Sequence, residues 1–163
     1  MTKILFMNEI QKSQFKSLDF IFISFLSSQL LAVFTIYFIK SNNFQFNFEI
    51  DSNFIKIVVM LLNITAIILS KTFYSILIKR IKVDESLDKK ITSFRTVSIF
   101  RLSFVESVNL INVLAYLFTG DYLILIIFFI MLILFFTYRP TTRLLIKDFN
   151  LSNDEKRIIL ESA

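Results

Sequence analysis

Residues 97–138 read VSIFRLSFVESVNLINVLAYLF, then TGD, then YLILIIFFIMLILFFTY. These are two apolar runs, each close to the roughly 20 residues a helix needs to cross a hydrocarbon core. Only Thr119, Gly120 and Asp121 separate them, and the sole glycine of the chain stands where a tight turn between antiparallel helices needs it. The stretch predicts a transmembrane helical hairpin.

Working outward, Leu18–Ile39 and Phe54–Tyr74 are two further apolar runs of spanning length, which with Val97–Phe118 and Tyr122–Tyr138 makes four spans in 163 residues. Composition agrees. Hydrophobic residues make up 55%, the mean hydropathy is +0.68, and charged residues account for 19%, against about 25% in an average globular protein. The expected fold is all-α: an integral membrane four-helix bundle over residues 1–149 with amphipathic flanks, followed by a short C-terminal cytoplasmic helix in 150–163.

Charge sets the orientation. Lys3, Lys12 and Lys16 precede the first span; Lys79, Arg80, Lys82, Lys89, Lys90 and Arg95 lie between the second and third; Arg139, Arg143, Lys147, Lys156 and Arg157 follow the fourth. The opposite side holds only Lys40 and Lys56, while Lys71 and Arg101 lie inside spans near the basic side. The positive-inside rule then places both termini and the central loop in the cytoplasm, as in a multi-pass protein of a bacterial inner membrane. All five tyrosines, Tyr37, Tyr74, Tyr116, Tyr122 and Tyr138, fall near span ends, at headgroup level. The net charge of +5 reads as topology and attraction to anionic lipid at the cytoplasmic face, with no nucleic-acid partner.

The flanks are patterned too. The first apolar run is too long for a signal-peptide core and lacks a small-residue cleavage site, so it reads as an uncleaved span. Ile4, Leu5, Met7 and Ile10 suggest a short interfacial helix ahead of it. Arg139-Pro140-Thr141 breaks the chain at the interface, and Leu144, Leu145, Ile146 and Phe149 are expected to lie along the inner surface. Ser152 and Glu155 have the spacing of a capping box, opening a helix through about Glu161.

A shift of 79 residues aligns Phe15-Lys16-Ser17-Leu18 with Phe94-Arg95-Thr96-Val97, Ser24-Phe25-Leu26 with Ser103-Phe104-Val105, and Tyr37 with Tyr116. A shift of 68 relates Ile76-Leu77-Ile78-Lys79 to Leu144-Leu145-Ile146-Lys147. Two tandem helical hairpins, a parallel repeat, are the expected plan. That plan resembles the duplicated proteolipids of rotary ATPases in length and arrangement alone. Their rings pack glycine-rich helices and carry a carboxylate on the returning helix, whereas Glu106 is on an entering one, so the assignment is rejected. Arg101, Glu106, the Thr119-Gly120-Asp121 turn and Arg139-Pro140-Thr141 together resemble a group of small four-span bacterial membrane proteins. The likeness covers mainly the second half and implies no activity.

At about 100° per residue, Arg95, Ser98, Arg101, Glu106, Asn109, Asn112 and Tyr116 form a polar stripe on the third span. Glu106 is near mid-span, where a charge costs roughly 2.5–3.5 kcal/mol on insertion scales; Arg101 is close enough to the boundary to snorkel. Gln29 and Asn63 lie at similar depth, and Ser24, Ser28 and Ala32 form a small-residue ridge for close helix packing. The fourth span has no polar side chain from Leu123 to Phe136 and is expected to be the most lipid-exposed, with the stripe facing the first two spans. Glu106 has three readings: a proton- or cation-handling site, a neutral carboxyl bonded to Asn63 or Gln29, or a contact with a helix of another subunit.

Absence of His and Cys excludes imidazole bases, thiolate nucleophiles, zinc-finger sites and disulfides. No catalytic constellation, metal site or cofactor motif is present in the sequence. The leading expectation is a non-enzymatic accessory or scaffold subunit partnered with other membrane subunits or with itself. The alternative is a small oligomeric transporter or channel using Glu106. A membrane enzyme acting on lipid or isoprenoid phosphate would have to use Asp84, Glu85 and Asp88.

Overall fold

The computed structural model describes residues 2–41, 51–82, 85–149 and 151–162. Among these there are six helices and no strand: α1 (Thr2–Ser41), α2 (Ser52–Lys79), α3 (Leu87–Thr119), α4 (Tyr122–Thr137), α5 (Thr142–Asp148) and α6 (Asn153–Ser162).

One glycine and one proline leave little to stop a helix once started. The first three helices accordingly outrun the expected spans at their basic ends. α1 is continuous over 40 residues, about 60 Å at 1.5 Å per residue. It takes in the stretch expected as a separate interfacial helix, although the side chains of Ile4, Leu5, Met7 and Ile10 lie outside the described residues. α3 starts at Leu87, well ahead of Val97.

Three helical segments are long and apolar enough to cross a membrane: Ser13–Lys40, Ser52–Lys79 and Leu87–Thr119. α4 has 16 residues, about 24 Å, short of a hydrocarbon core of roughly 30 Å. It counts as a fourth span only together with α5, across a 75° bend. The bend falls at Pro140, which offers no N–H and disfavours helical geometry at Arg139.

α3 is the hub, packed against α1, α2 and α4, while α1 and α2 barely meet. α1 runs parallel to α3, and their polar contacts join residues 78 and 80 apart, the offset that also aligns them in sequence. The packing does not repeat with the sequence. α2 lies along α3, whereas the corresponding pair, α1 and α4, has no comparable contact and meets through Phe22 and Phe135, whose rings stack at 5.0 Å. Ten residues stand between α1 and α2 in the sequence, against two between α3 and α4.

α4 is not the most exposed helix. Ile124, Phe128, Met131 and Phe135 form a fully buried stripe, one face of a helix that is apolar all round. The apolar windows of α1 and α2 are each only 17% buried, against 39% for α3. On α2 the buried stripe is Val59, Asn63, Ala66 and Ser70, leaving Phe54, Ile57, Leu61, Ile64 and Ile68 outward.

At the basic end the helices share an apolar cap: Leu18 of α1, Leu87, Ile91 and Phe94 of α3, Leu145 of α5, Phe149, Leu151, and Ile159 of α6. Ser152 and Glu155 form both halves of the expected capping box, Glu155 N–H to Ser152 Oγ at 3.2 Å and Ser152 N–H to Glu155 Oε2 at 2.8 Å. Glu155 also accepts from the buried ammonium of Lys90 at 2.9 Å, tying α6 to α3.

Candidate functional site

The polar residues of α3 meet partners on both neighbours. Asn109 Nδ2 donates to Gln29 Oε1 of α1 at 2.7 Å. Asn112 Nδ2 donates to Asn63 Oδ1 of α2 at 3.0 Å and to Asn109 Oδ1 at 3.3 Å, and Asn63 Nδ2 donates back to Asn112 Oδ1 at 2.8 Å. Gln29, Asn109 and Asn112 are wholly buried and Asn63 nearly so. Four amides thus form one connected seam through three helices. Apolar surroundings make each such bond hard to leave unmade.

Glu106 stands one turn from the seam and outside it. Its Oε1 is 2.6 Å from Ser28 Oγ, so its partner is neither Asn63 nor Gln29. The Ser28 hydroxyl is also 2.8 Å from the Phe25 carbonyl. A hydroxyl has one hydrogen, and two acceptors face it. Ser28 Oγ donates to Glu106 Oε1 or to the Phe25 carbonyl, one at a time. The other oxygen, Oε2, takes no hydrogen bond among the described residues. Of the small-residue ridge, Ser28 serves this contact and Ala32 packs with Ile36, Val113 and Phe128. Ser24 is exposed and donates back to the Phe20 carbonyl at 2.9 Å.

Arg101 reaches the two tyrosines near the basic ends of α2 and α4. Its guanidinium sits 3.5 Å from the ring centroid of Tyr138 and 4.4 Å from that of Tyr74, stacked by both. The Tyr74 hydroxyl donates to Asp148 of α5 at 2.5 Å, so the cation, two rings and a carboxylate link α2, α3 and the end of α4 to α5. Arg95 donates to Ser17 of α1 at 3.0 Å. The tyrosines expected at the interface therefore divide: Tyr37 and Tyr122 face outward, while Tyr74, Tyr138 and Tyr116 hold cations.

The two basic residues of the opposite end converge on the turn. Lys40 Nζ lies 4.1 Å from the Tyr116 ring centroid, and Lys56 Nζ is 2.8 Å from Asp121 Oδ2. Asp121 caps α4 by accepting from Leu123 N–H at 2.9 Å; the Lys56 contact, with this backbone bond, holds its carboxyl below the ordinary carboxylate range. Gly120 closes α3 at φ +67°, and its N–H donates to Tyr116 O at 2.9 Å. In the sequence both lysines flank the connection between the first two spans, which itself carries Asp51, so the only signal for this clamp is that they fall on the same side of the bundle as Asp121.

No three His, Cys, Asp or Glu side chains converge among the described residues. Of the acidic run in the central loop, Asp84 lies outside them and Glu85 accepts from Lys89 at 3.2 Å. A cavity of about 320 Å³ opens at the basic-end cap, where Lys79, Lys82, Lys90 and Asp148 meet Ile78 and Phe149. No family model, curated protein or solved structure matches the chain.

Proposed function

We propose that the chain is a non-enzymatic accessory or scaffold subunit of a membrane complex, with four spans in two tandem hairpins and both termini on the cytoplasmic side of a bacterial inner membrane. The observation that carries this reading is the connected amide seam. Gln29, Asn63, Asn109 and Asn112 bond to one another across three helices, with Gln29 Nε2 the one seam atom that lacks a partner among the described residues; this is the pattern of a register lock and not of a conduit, whose polar groups face water. The broad apolar faces of α1 and α2 offer room for neighbouring helices, and the basic cap and tail offer a cytoplasmic docking surface. Gentle extraction at endogenous expression, followed by native sizing with mass identification, tests it. Recovery inside a larger complex of defined stoichiometry supports the reading; recovery as a homogeneous homo-oligomer overturns it.

A second reading is favoured by Glu106. Its free Oε2, lying outside the seam, suits proton or cation coupling in an oligomeric transporter. Ion-driven flux in liposomes that Glu106→Gln abolishes without unfolding the protein would support it; flux unaffected by that change would remove it.

A further inference from the structure

Between the end of α2 and the start of α3 lies a groove of about 310 Å³ whose lining includes Leu77, Arg80, Thr92, Ser93, Thr96 and Phe100. The antiparallel register set by the Asn63–Asn112 and Tyr74–Arg101 contacts grades this groove along the helix axes. Leu77 and Phe100 lie toward the bilayer and Arg80 about a turn further out. Phe100 is 54% exposed within the expected third span, so the apolar end opens on the acyl layer.

The outer end is a cation with hydroxyls beside it. Arg80 is exposed and meets no carboxylate among the described residues, and no acidic residue lines the groove. Thr96 donates to the Thr92 carbonyl at 3.1 Å, while the hydroxyls of Thr92 and Ser93 have no partner among the described residues. A guanidinium fork matches phosphate oxygens in pairs, and adjacent hydroxyls can donate to the same group. Lys79 and Lys82, on the neighbouring cavity, add positive potential nearby.

A phospholipid has the same polarity: an anion at headgroup level and a hydrocarbon chain below. We propose that this groove seats one anionic phospholipid, its phosphate held by Arg80 with Thr92 and Ser93, and an acyl chain lying across Leu77 and Phe100. The inference rests on the orientation that places the basic helix ends in the headgroup layer, and it stands independently of whether the chain serves as a scaffold.

Native mass spectrometry of the full chain in mild detergent, titrated with dioleoyl phosphatidylglycerol and dioleoyl phosphatidylcholine, tests the seat. One phosphatidylglycerol is expected to be retained about tenfold more strongly than phosphatidylcholine, and Arg80→Ala should remove that preference. Lys147→Ala, a basic change outside the groove, should keep it. The proposal is overturned by equal retention of the two lipids, by an Arg80→Ala variant that binds as wild type, or by displacement with millimolar inorganic phosphate, which would indicate a phosphate site without an acyl part. Thermal unfolding checks that Arg80→Ala is folded; should it not be, the double change Thr92→Ala and Ser93→Ala bears the same test, expecting a smaller loss of the same preference. Labelling of Lys82→Cys from either side of the membrane reports the orientation separately, so an error there is distinguishable from an empty groove.

Discussion

Asn63 and Asn112 exchange hydrogen bonds across the α2–α3 contact, at 2.8 Å and 3.0 Å. The second hydrogen of Asn63 Nδ2 goes to the Val59 carbonyl at 2.7 Å and that of Asn112 Nδ2 to Asn109. Both amides have thus spent every hydrogen they can donate. A slide of one residue along either helix would turn these groups into a small-to-apolar surface with no acceptor in reach. The pair adds a directional constraint on the register between α2 and α3 to the apolar packing of Val59 and Ala66 and the stacking of Phe73 on Phe104.

Asn112→Leu should therefore be costlier than one lost bond suggests. Interhelical bonds in membranes contribute about 0.6 kcal/mol on average and about 1.7 at most. Asn112 joins two partners, so a loss of about 1–2 kcal/mol is expected in steric-trapping unfolding. The double change Asn63→Leu with Asn112→Leu should recover part of the loss, because two facing apolar groups leave fewer orphans than one. Strict additivity of the two single changes would show that the amides do not couple.

Glu106→Gln should be nearly silent for stability, within about 0.5 kcal/mol, because Gln has the same length and its amide oxygen can accept from Ser28 Oγ as Glu106 Oε1 does. Ser28→Ala leaves the carboxyl without its partner and should cost about 1 kcal/mol. Reversible unfolding in mixed detergent micelles would measure both. A loss above roughly 2 kcal/mol for Gln would mean that the group works as an anion against a cation brought by a partner.

Much of this was legible in the chain, and the limits of what was legible have physical causes. Hydropathy found the apolar runs, because only intrasegment hydrogen bonding satisfies a backbone in hydrocarbon. The periodicity of α3 gathered Arg95, Arg101, Glu106, Asn109 and Asn112 on one side, and Gln29 and Asn63 were placed at matching depth. Which residue met which was not legible. Glu106 found Ser28 because α1 lies parallel to α3 at an offset of 78 residues, a tertiary register that no local pattern encodes. The exposure of α4 departs from expectation for a related reason: a helix apolar on all sides carries no moment to say which face is covered, and Leu102, Val105 and Val113 of α3, with Phe22 of α1, supply the cover.

Gly120 should not tolerate a side chain. Its φ of +67° is left-handed, and a Cβ there would lie 3.0 Å from Lys40 Nζ, which can swing away only by leaving the Tyr116 ring. Gly120→Ala should cost about 1 kcal/mol through backbone strain. Asp121→Asn, which removes the Lys56 ion pair but can still cap α4, should cost less. The same unfolding assay ranks them, and the reverse order would indicate that the charge and not the backbone holds this turn.

The cap supplies a pH dependence whose sign follows from Glu155. Burial raises its carboxyl, but the bonds from Lys90 and from the Ser152 N–H more than offset that and leave it below its ordinary value of 4.5. A carboxyl depressed in the folded state contributes stability that is complete above the unfolded value and is lost as pH falls through the folded one. The bond between α6 and α3 should hold at neutral pH and weaken progressively below about 4.5, when a protonated Glu155 no longer attracts the Lys90 ammonium. Hydrogen-exchange protection factors over Asn153–Leu160 should fall in that window ahead of those in the middle of α3. Glu155→Gln should flatten the dependence, whereas Lys71→Met, on α2 and outside the cavity that Glu155 lines, should leave it intact. Protection of α6 that stays constant down to pH 3 in wild type would mean that the apolar contacts of Leu151 and Ile159 hold the helix without help from the ion pair.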